Sequence, residues 1–145
     1  MARILLIDDE PDMLALLCTL IRGRTEHRVT ATNNPLEVDE ILGREPVDAV
    51  VTDLKMPGMD GLEVLARVRA RDPDIAVLVI TAFGSEESAA EALRRGAVDF
   101  ITKPFSKEQI LLALDKALRL QALVRENREL RRRIEGRSGQ SGGSC

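Results

Sequence analysis

Five short apolar segments recur along the chain, and the stretches between them carry apolar residues at helical spacing. Four segments are nearly continuous runs rich in valine and isoleucine, which is typical of strands buried on both faces of a parallel sheet. Arg28–Ala31 is less apolar and suits the edge of a sheet. In chain order, the predicted strands are Ile4–Ile7, Arg28–Ala31, Val47–Thr52, Ile75–Thr81 and Val98–Ile101.

Helix signals fill the stretches between these strands. Alternation of strands and helices predicts an α/β fold, with a parallel sheet covered by helices on both faces. Proline at a first helical position, glycine after the last turn and capping boxes mark the helix ends. These signals are Pro11 and Gly23 for the first helix, Asn34 to Glu37 before the second, Gly61 at the start of the third, Ser85 as the cap of the fourth, and Ser106 with Gln109 before the fifth.

The fifth helix is longer than one domain needs. No glycine or proline occurs from Ser106 to Glu135, and thirty helical residues span about 45 Å. Its second half carries a heptad pattern, which predicts the seam of a parallel coiled-coil dimer with an asparagine setting the register. One long solvated helix is the alternative. The seam residues are Leu120, Asn127 and Ile134 at a, and Leu123 and Leu130 at d.

Composition divides the chain in the same place. The net charge is −7 over residues 1–118 and +4 over residues 119–145, where seven arginines face three glutamates. From Gly136 the chain contains only glycine, serine, arginine, glutamine and cysteine, the composition of a flexible linker. We expect a globular domain over 1–120, an extension of the fifth helix over 121–135 and a flexible tail over 136–145.

Several classes of protein are excluded by composition. The longest apolar run has six residues, against the 18 or so of a membrane span, and no secretory signal opens the chain. Two cysteines form no disulfide framework, which favours the cytoplasm. Without tryptophan or tyrosine there is no aromatic platform for single-stranded nucleic acid. We therefore expect no membrane contact and no direct contact with nucleic acid.

Residues with charged or hydroxyl side chains follow the ends of the predicted strands. In an open parallel sheet, functional residues lie at the carboxyl ends of the strands. Three carboxylates, one hydroxyl, one small residue and one ammonium stand there, and they meet at one edge of the predicted sheet. They are Asp8 and Asp9 after the first strand, Asp53 after the third, Thr81 and Ala82 after the fourth, and Lys103 after the fifth.

A magnesium-assisted phosphoryl site is the chemistry that suits this set. Packed carboxylates repel unless a cation joins them, and an open site with oxygen ligands favours Mg²⁺. A carboxylate can accept a phosphoryl group as an aspartyl phosphate. The Lys103 ammonium, the Thr81 hydroxyl and the Ala82 N–H are placed to neutralise the charge of that group.

Four short motifs carry these residues in order along residues 1 to about 120. They are Ile7-Asp8-Asp9-Glu10, the segment Asp53 to Glu63, Thr81-Ala82 and the segment Asp99 to Phe105. In this order the chain resembles the receiver domain of bacterial two-component response regulators. The resemblance implies a flavodoxin-like sheet with strand order 2-1-3-4-5.

The resemblance also implies a role for each matching residue. Asp53 corresponds to the aspartate that a sensor histidine kinase phosphorylates. Asp8, Asp9, Asp53 and the backbone carbonyl of Lys55 correspond to the magnesium ligands. Thr81, Ala82 and Lys103 correspond to the groups that stabilise the phosphoryl group. Thr81 and Phe100 correspond to the switch pair, and phenylalanine offers no hydroxyl to report its state at the surface.

The extension has a second, less specific resemblance. Leu120 to Glu135 is similar to the linker helix of regulators of the NtrC type, which leads to an ATPase module acting on RNA polymerase with sigma factor 54. This implies a homodimer that switches on phosphorylation, and output ATPase and DNA-binding domains in a longer chain. No enzyme activity is expected beyond assistance to its own phosphorylation and dephosphorylation.

Two other functions share features with this sequence. A phosphatase of the haloacid dehalogenase type also uses an aspartyl nucleophile, Mg²⁺, a hydroxyl and a lysine. That class requires Asp-x-Asp after the first strand, whereas Asp8 and Asp9 are adjacent here, and no cap domain is present to shield a substrate. The other alternative is a constitutive coiled-coil dimerisation module whose acidic site is silent.

Overall fold

The sheet contains the five predicted strands. The computed structural model describes residues 1–82 and 86–141, with side chains described as far as residue 135. The strands are β1 (Arg3–Ile7), β2 (Arg28–Thr32), β3 (Ala49–Asp53), β4 (Ala76–Thr81) and β5 (Asp99–Thr102). All pair in parallel in the order β2-β1-β3-β4-β5, so the predicted fold class is confirmed.

Five helices cover the sheet. They are α1 (Pro11–Arg24), α2 (Val38–Arg44), α3 (Gly61–Arg71), α4 (Glu86–Arg94) and α5 (Lys107–Ser141). One core packs α2, α3 and α4 on one face, with Val50 and Val77 of the sheet in its centre. The other packs α1 and α5 on the opposite face, around Leu6 and Leu78. The strands β1, β3 and β4 are thus buried on both faces, which explains their continuous apolar sequences.

The helix signals are confirmed at some boundaries and wrong at two. Gly23 does not end the first helix, because α1 continues to Arg24 and its C-cap is Thr25. Gln109 and Ser106 form the predicted box, since each accepts a hydrogen bond from the other's backbone N–H. Asn34 accepts instead from the Leu36 N–H, and Glu37 turns its carboxylate to the Thr32 hydroxyl. A 3₁₀ turn over Pro35–Glu37 therefore precedes α2, because the Thr32 hydroxyl competes for Glu37. The predicted cap Ser85 lies outside the described residues.

The last helix is longer than predicted. It continues to Ser141 and crosses the expected boundaries at residues 120 and 135 without interruption. Adding residues to an existing helix requires no new nucleation, so one glycine at 136 does not stop it. The predicted start of a flexible tail at 136 is therefore wrong as a helix boundary. Residues 142–145 of that predicted tail lie outside the described residues.

Candidate functional site

The carboxyl edge of the sheet brings the predicted side chains together. Asp8 and Asp9 follow β1, Asp53 ends β3, Thr81 ends β4 and Lys103 follows β5. Carboxylate oxygens of Asp8, Asp9 and Asp53 all lie within 4.8 Å of one another. Parallel pairing makes this possible, because β1, β3 and β4 are neighbours and end at the same level.

Asp8 is the most buried carboxylate of the cluster. Its residue is 1% exposed, and its Oδ1 accepts a hydrogen bond from the Glu10 N–H at 2.9 Å. Its Oδ2 is also buried and, among the described residues, accepts no hydrogen bond. A buried oxygen without a donor is costly, and a cation is the partner that a carboxylate oxygen accepts best. The donor set, all oxygen and open on one side, fits a divalent cation such as Mg²⁺.

Lys103 joins the carboxylates from the other side. Its Nζ donates to Asp53 Oδ2 at 3.1 Å and lies 3.9 Å from Asp8 Oδ2. Its backbone N–H donates to the Thr81 carbonyl at 2.8 Å, and its bond to Pro104 is cis. These contacts hold the ammonium over the carboxylate that ends β3.

The loop after β3 holds the other oxygen of Asp53. The Lys55 N–H donates to Asp53 Oδ1 at 3.3 Å. Buried Met56 and Met59 pin this loop to the core. Asp60 then caps α3 by accepting from the Glu63 N–H at 2.9 Å. Asp53 therefore stands on a rigid strand end, with one oxygen on a backbone amide and one on an ammonium.

Burial and charge shift two pKa values at this site. Burial raises the pKa of Asp8 from 3.8 to about 6; the Glu10 N–H opposes the rise, and the Asp53 carboxylate adds to it. Burial works to lower the pKa of Lys103, but its hydrogen bond to Asp53 and the nearby carboxylates raise it. Lys103 thus stays protonated, while Asp8 takes up a proton on mild acidification.

The Asp8 pKa predicts a pH dependence of stability. Since the folded pKa lies above the unfolded value, the folded protein holds a proton between about pH 4 and 6 that the unfolded chain has released. Stability is then lost as pH rises through this window, by about 3 kcal/mol. We expect Asp8→Asn to remove this loss and to raise the free energy of unfolding at pH 8 by roughly 1–3 kcal/mol. Urea unfolding in EDTA at pH 5 and pH 8 measures both.

Asp12→Asn is the matched control, because Asp12 is exposed in the first turn of α1. It should change stability by no more than about 0.5 kcal/mol at either pH. If Asp8→Asn is less stable than the parent at pH 8, the claim that the buried, charged Asp8 carboxylate destabilises the fold is contradicted.

The predicted switch residues lie beside this cluster. Thr81 is 2% exposed, and within the described ranges its hydroxyl forms no hydrogen bond to Asp53 or Lys103. Phe100 is half-buried against the core under α2–α4 and lines a surface groove with Leu112 and Lys116 of α5. Ala82 is exposed at the end of β4.

The predicted dimer seam is exposed along α5. All five positions face away from the sheet, and four are large apolar side chains. Their exposed fractions are Leu120 45%, Leu123 63%, Leu130 48% and Ile134 62%, and Asn127 is exposed with them. This exposure leaves the stripe accessible, and the seam itself stays a prediction.

One set of contacts was missed by the sequence analysis. Arg125 and Arg128 of α5 contact three aspartates in turns at the amino edge of the sheet. The opposite charges of the two parts of the chain were the available signal, but composition does not say which residues pair. The aspartates are Asp48, Asp72 and Asp74.

The sheet, its carboxylate cluster and the lysine over it define a class of protein. The chain belongs to the response regulator receiver domain family, which matches residues 4–115. Phosphorylation on an aspartate is typical of this family, and its domains are regulatory. The match supports the phosphoacceptor hypothesis over a phosphatase of the haloacid dehalogenase type.

Particular relatives extend the comparison. The response regulator protein PilR of Pseudomonas aeruginosa is 37% identical over 134 residues, which cover 92% of this chain and 30% of PilR. The chemotaxis protein CheY of Listeria monocytogenes is 35% identical over 117 residues, covering 81% of this chain and 98% of CheY. A crystal structure of NtrX from Brucella abortus with ADP superposes with a TM-score of 0.84 at 30% identity, covering 89% of this chain and 30% of NtrX.

The chain thus spans about a third of the length of PilR and NtrX, which are regulators of the NtrC type, and the similarity includes much of α5. In residues 1–82 and 86–141, no helix is both long and apolar enough to cross a bilayer.

Proposed function

We propose that Asp53 accepts a phosphoryl group from the phosphohistidine of a sensor histidine kinase. The observation that carries this proposal is the position of its carboxylate, which ends a buried strand at the open edge and accepts from Lys103 at 3.1 Å. Asp8 is more buried and is committed to the Glu10 N–H. Asp53 is therefore the carboxylate best placed to meet an incoming phosphorus atom.

The transfer forms one bond and breaks another. A carboxylate oxygen of Asp53 forms a P–O bond while the P–N bond of the phosphohistidine breaks, and the electron pair leaves with the imidazole. Charge then builds on the three outer phosphoryl oxygens. The Lys103 ammonium, the Ala82 N–H and the Thr81 hydroxyl lie at the ends of β5 and β4, where they can meet those oxygens.

Mg²⁺ fits the same cluster. Asp8, Asp9, Asp53 and the Lys55 carbonyl would hold it. The buried Asp8 Oδ2 supports this because, among the described residues, it forms no hydrogen bond and has only a distant ion pair with Lys103 at 3.9 Å. When bound, the ion supplies positive charge to the carboxylates and to the phosphoryl oxygens.

The phosphoryl state is read through Thr81 and Phe100. A phosphoryl group on Asp53 offers the Thr81 hydroxyl a charged acceptor, and movement of Thr81 changes the space beside Phe100. Since Phe100 lines a groove with Leu112 of α5, the change reaches the helix that carries the seam. The chain itself is a regulator whose only reaction is on its own Asp53.

The output is a change in self-association. Leu120, Leu123, Asn127, Leu130 and Ile134 form the seam of a parallel homodimer that exchanges with phosphorylation. In a longer chain the helix leads to ATPase and DNA-binding domains that activate transcription. The chain acts in the cytoplasm, and its partners are a sensor histidine kinase and a second copy, with no membrane or direct nucleic acid contact.

Sedimentation velocity tests this function. Reduced protein is compared with and without Mg²⁺ and beryllofluoride, which mimics an aspartyl phosphate. We expect the dimer dissociation constant to change by at least about fivefold, the scale of common allosteric couplings. Asp53→Asn should not respond.

Two outcomes would contradict parts of the proposal. A dimer that ignores beryllofluoride would favour the constitutive coiled-coil module. A monomer under both conditions would exclude the proposed dimer seam, while the proposal that Asp53 accepts a phosphoryl group would still stand.

A further inference from the structure

The two halves of α5 are held to the body by different forces. Up to residue 121 the helix packs by burial, with Ile110, Leu114 and Ala117 each at most 1% exposed. Every residue from 122 to 135 is exposed, and the contacts with the body pass to arginine side chains. Contacts of this second kind weaken in salt, whereas apolar burial does not.

Backbone N–H groups hold two of the aspartates that accept these arginines in place. Asp48 Oδ2 accepts the Arg3 N–H at 2.9 Å, and Asp72 Oδ1 accepts the Asp74 N–H at 2.9 Å. The remaining oxygens both face Arg125, whose Nη1 lies 3.2 Å from Asp48 Oδ1 and whose Nη2 lies 3.4 Å from Asp72 Oδ2. One guanidinium thus bridges the turns before β3 and β4, with little side-chain freedom to lose at the acceptors.

Asp74 gives the strongest reason for a specific contact. It is 9% exposed, and its Oδ1 accepts no hydrogen bond from the part of the chain that the structure describes. Arg128 Nη1 lies 3.3 Å from that oxygen, at ion-pair distance. Within the described ranges Arg128 is the one cation paired with Asp74. A carboxylate this buried requires a nearby cation, so removal of Arg128 leaves an uncompensated charge.

The arginines also fix which face of the helix turns outward. At about 100° per residue, Gln121, Arg125 and Arg128 share the face that continues the buried stripe of α5. Leu123 and Ile134 lie roughly 145–165° away from the mean direction of those three residues, on the opposite side of the helix. Holding the arginines to the body therefore keeps the seam open to a second copy.

We propose that Arg125 and Arg128 form an ionic anchor with Asp48, Asp72 and Asp74, which holds the extension of α5 in line with the receiver domain. They are positioning residues for whatever the extension carries. This extends the proposed function, since the extension bears the proposed seam, but the anchor itself requires neither phosphorylation nor a dimer.

Hydrogen exchange of the full chain measures the anchor. Dilute, reduced protein in EDTA is followed by mass spectrometry, without beryllofluoride. In Arg125→Gln/Arg128→Gln, we expect amides of the turn Asp72–Asp74 and of residues 122–130 to exchange about tenfold faster. Glutamine matches the helix propensity of arginine, so a change in the turn reports the lost contact. About 1 M NaCl should bring the parent close to this variant.

Arg119→Gln/Arg133→Gln is the matched control. In residues 1–82 and 86–135, both arginines pair only within the helix, with Asp115 and Glu129, and the loss of charge is the same. It should leave the turn unchanged, and Arg125→Lys/Arg128→Lys should restore part of the protection. Equal exchange in the two glutamine variants, or a parent indifferent to salt, would overturn the anchor. The hydrogen-exchange result can be interpreted even if the protein does not respond to beryllofluoride, because the anchor does not involve Asp53.

Discussion

Asp53→Asn is expected to reduce phosphoryl uptake from acetyl phosphate with Mg²⁺ by about 100-fold or more. The amide has the size of the carboxylate but no charge, so it is a poor nucleophile toward phosphorus. Its oxygen can still accept the Lys55 N–H, so the loop after β3 should hold. Intact-mass spectrometry measures uptake, and lability to hydroxylamine identifies the product as an acyl phosphate.

Asp60→Asn is the matched control for this substitution. Asp60 lies in the same loop but caps α3, and asparagine caps as well as aspartate. Uptake should remain at the level of the parent. Undiminished uptake by Asp53→Asn would exclude Asp53 as the acceptor and would place the chemistry on another carboxylate of the cluster.

The site could be predicted because parallel sheets impose a simple geometry. Residues that follow neighbouring strands meet at one edge, so Asp8, Asp53 and Lys103 could be grouped from spacing and motif alone. Strand positions were also close, since β1 and β4 are buried on both faces and show continuous apolar runs. The meeting of Asp8, Asp9, Asp53 and Lys103 is confirmed by the geometry; their separate roles stay predictions.

Contacts chosen by competition could not be predicted. Glu37 had two possible partners, the Asn34 N–H and the Thr32 hydroxyl. The Asn34 N–H donates to the Thr32 oxygen instead, and the same hydroxyl donates to Glu37, a pairing that residue spacing alone does not select. The contacts of Arg125 and Arg128 at the amino edge could not be predicted either, because the seven arginines of residues 119–145 and the many aspartates of the chain offer numerous pairs. Only the length of α5 and the turn before β4 bring Arg128 to Asp74. The end of α5 was missed because glycine lowers helix propensity without forbidding a helix.

Gly61→Ala is expected to destabilise the fold by about 3 kcal/mol, through overpacking against backbone rather than side chains. A Cβ at this position would lie 2.7 Å from the Leu54 Cα and closer still to the Asp53 carbonyl oxygen. Relief by movement is blocked, because the Gly61 N–H donates to the Leu54 carbonyl at 2.7 Å. Urea unfolding measures the loss of stability.

Gly23→Ala separates this steric effect from the general effect of replacing glycine. Nothing lies within 4 Å of a Cβ at Gly23, near the end of α1. Alanine there should raise stability by roughly 0.5–1 kcal/mol through helix propensity. Because the clash at Gly61 falls on the backbone of Asp53, folded Gly61→Ala should also take up phosphoryl groups more slowly. Equal stabilities of the two variants would mean that α3 can move away from β3, and that the close approach does not set the position of Asp53.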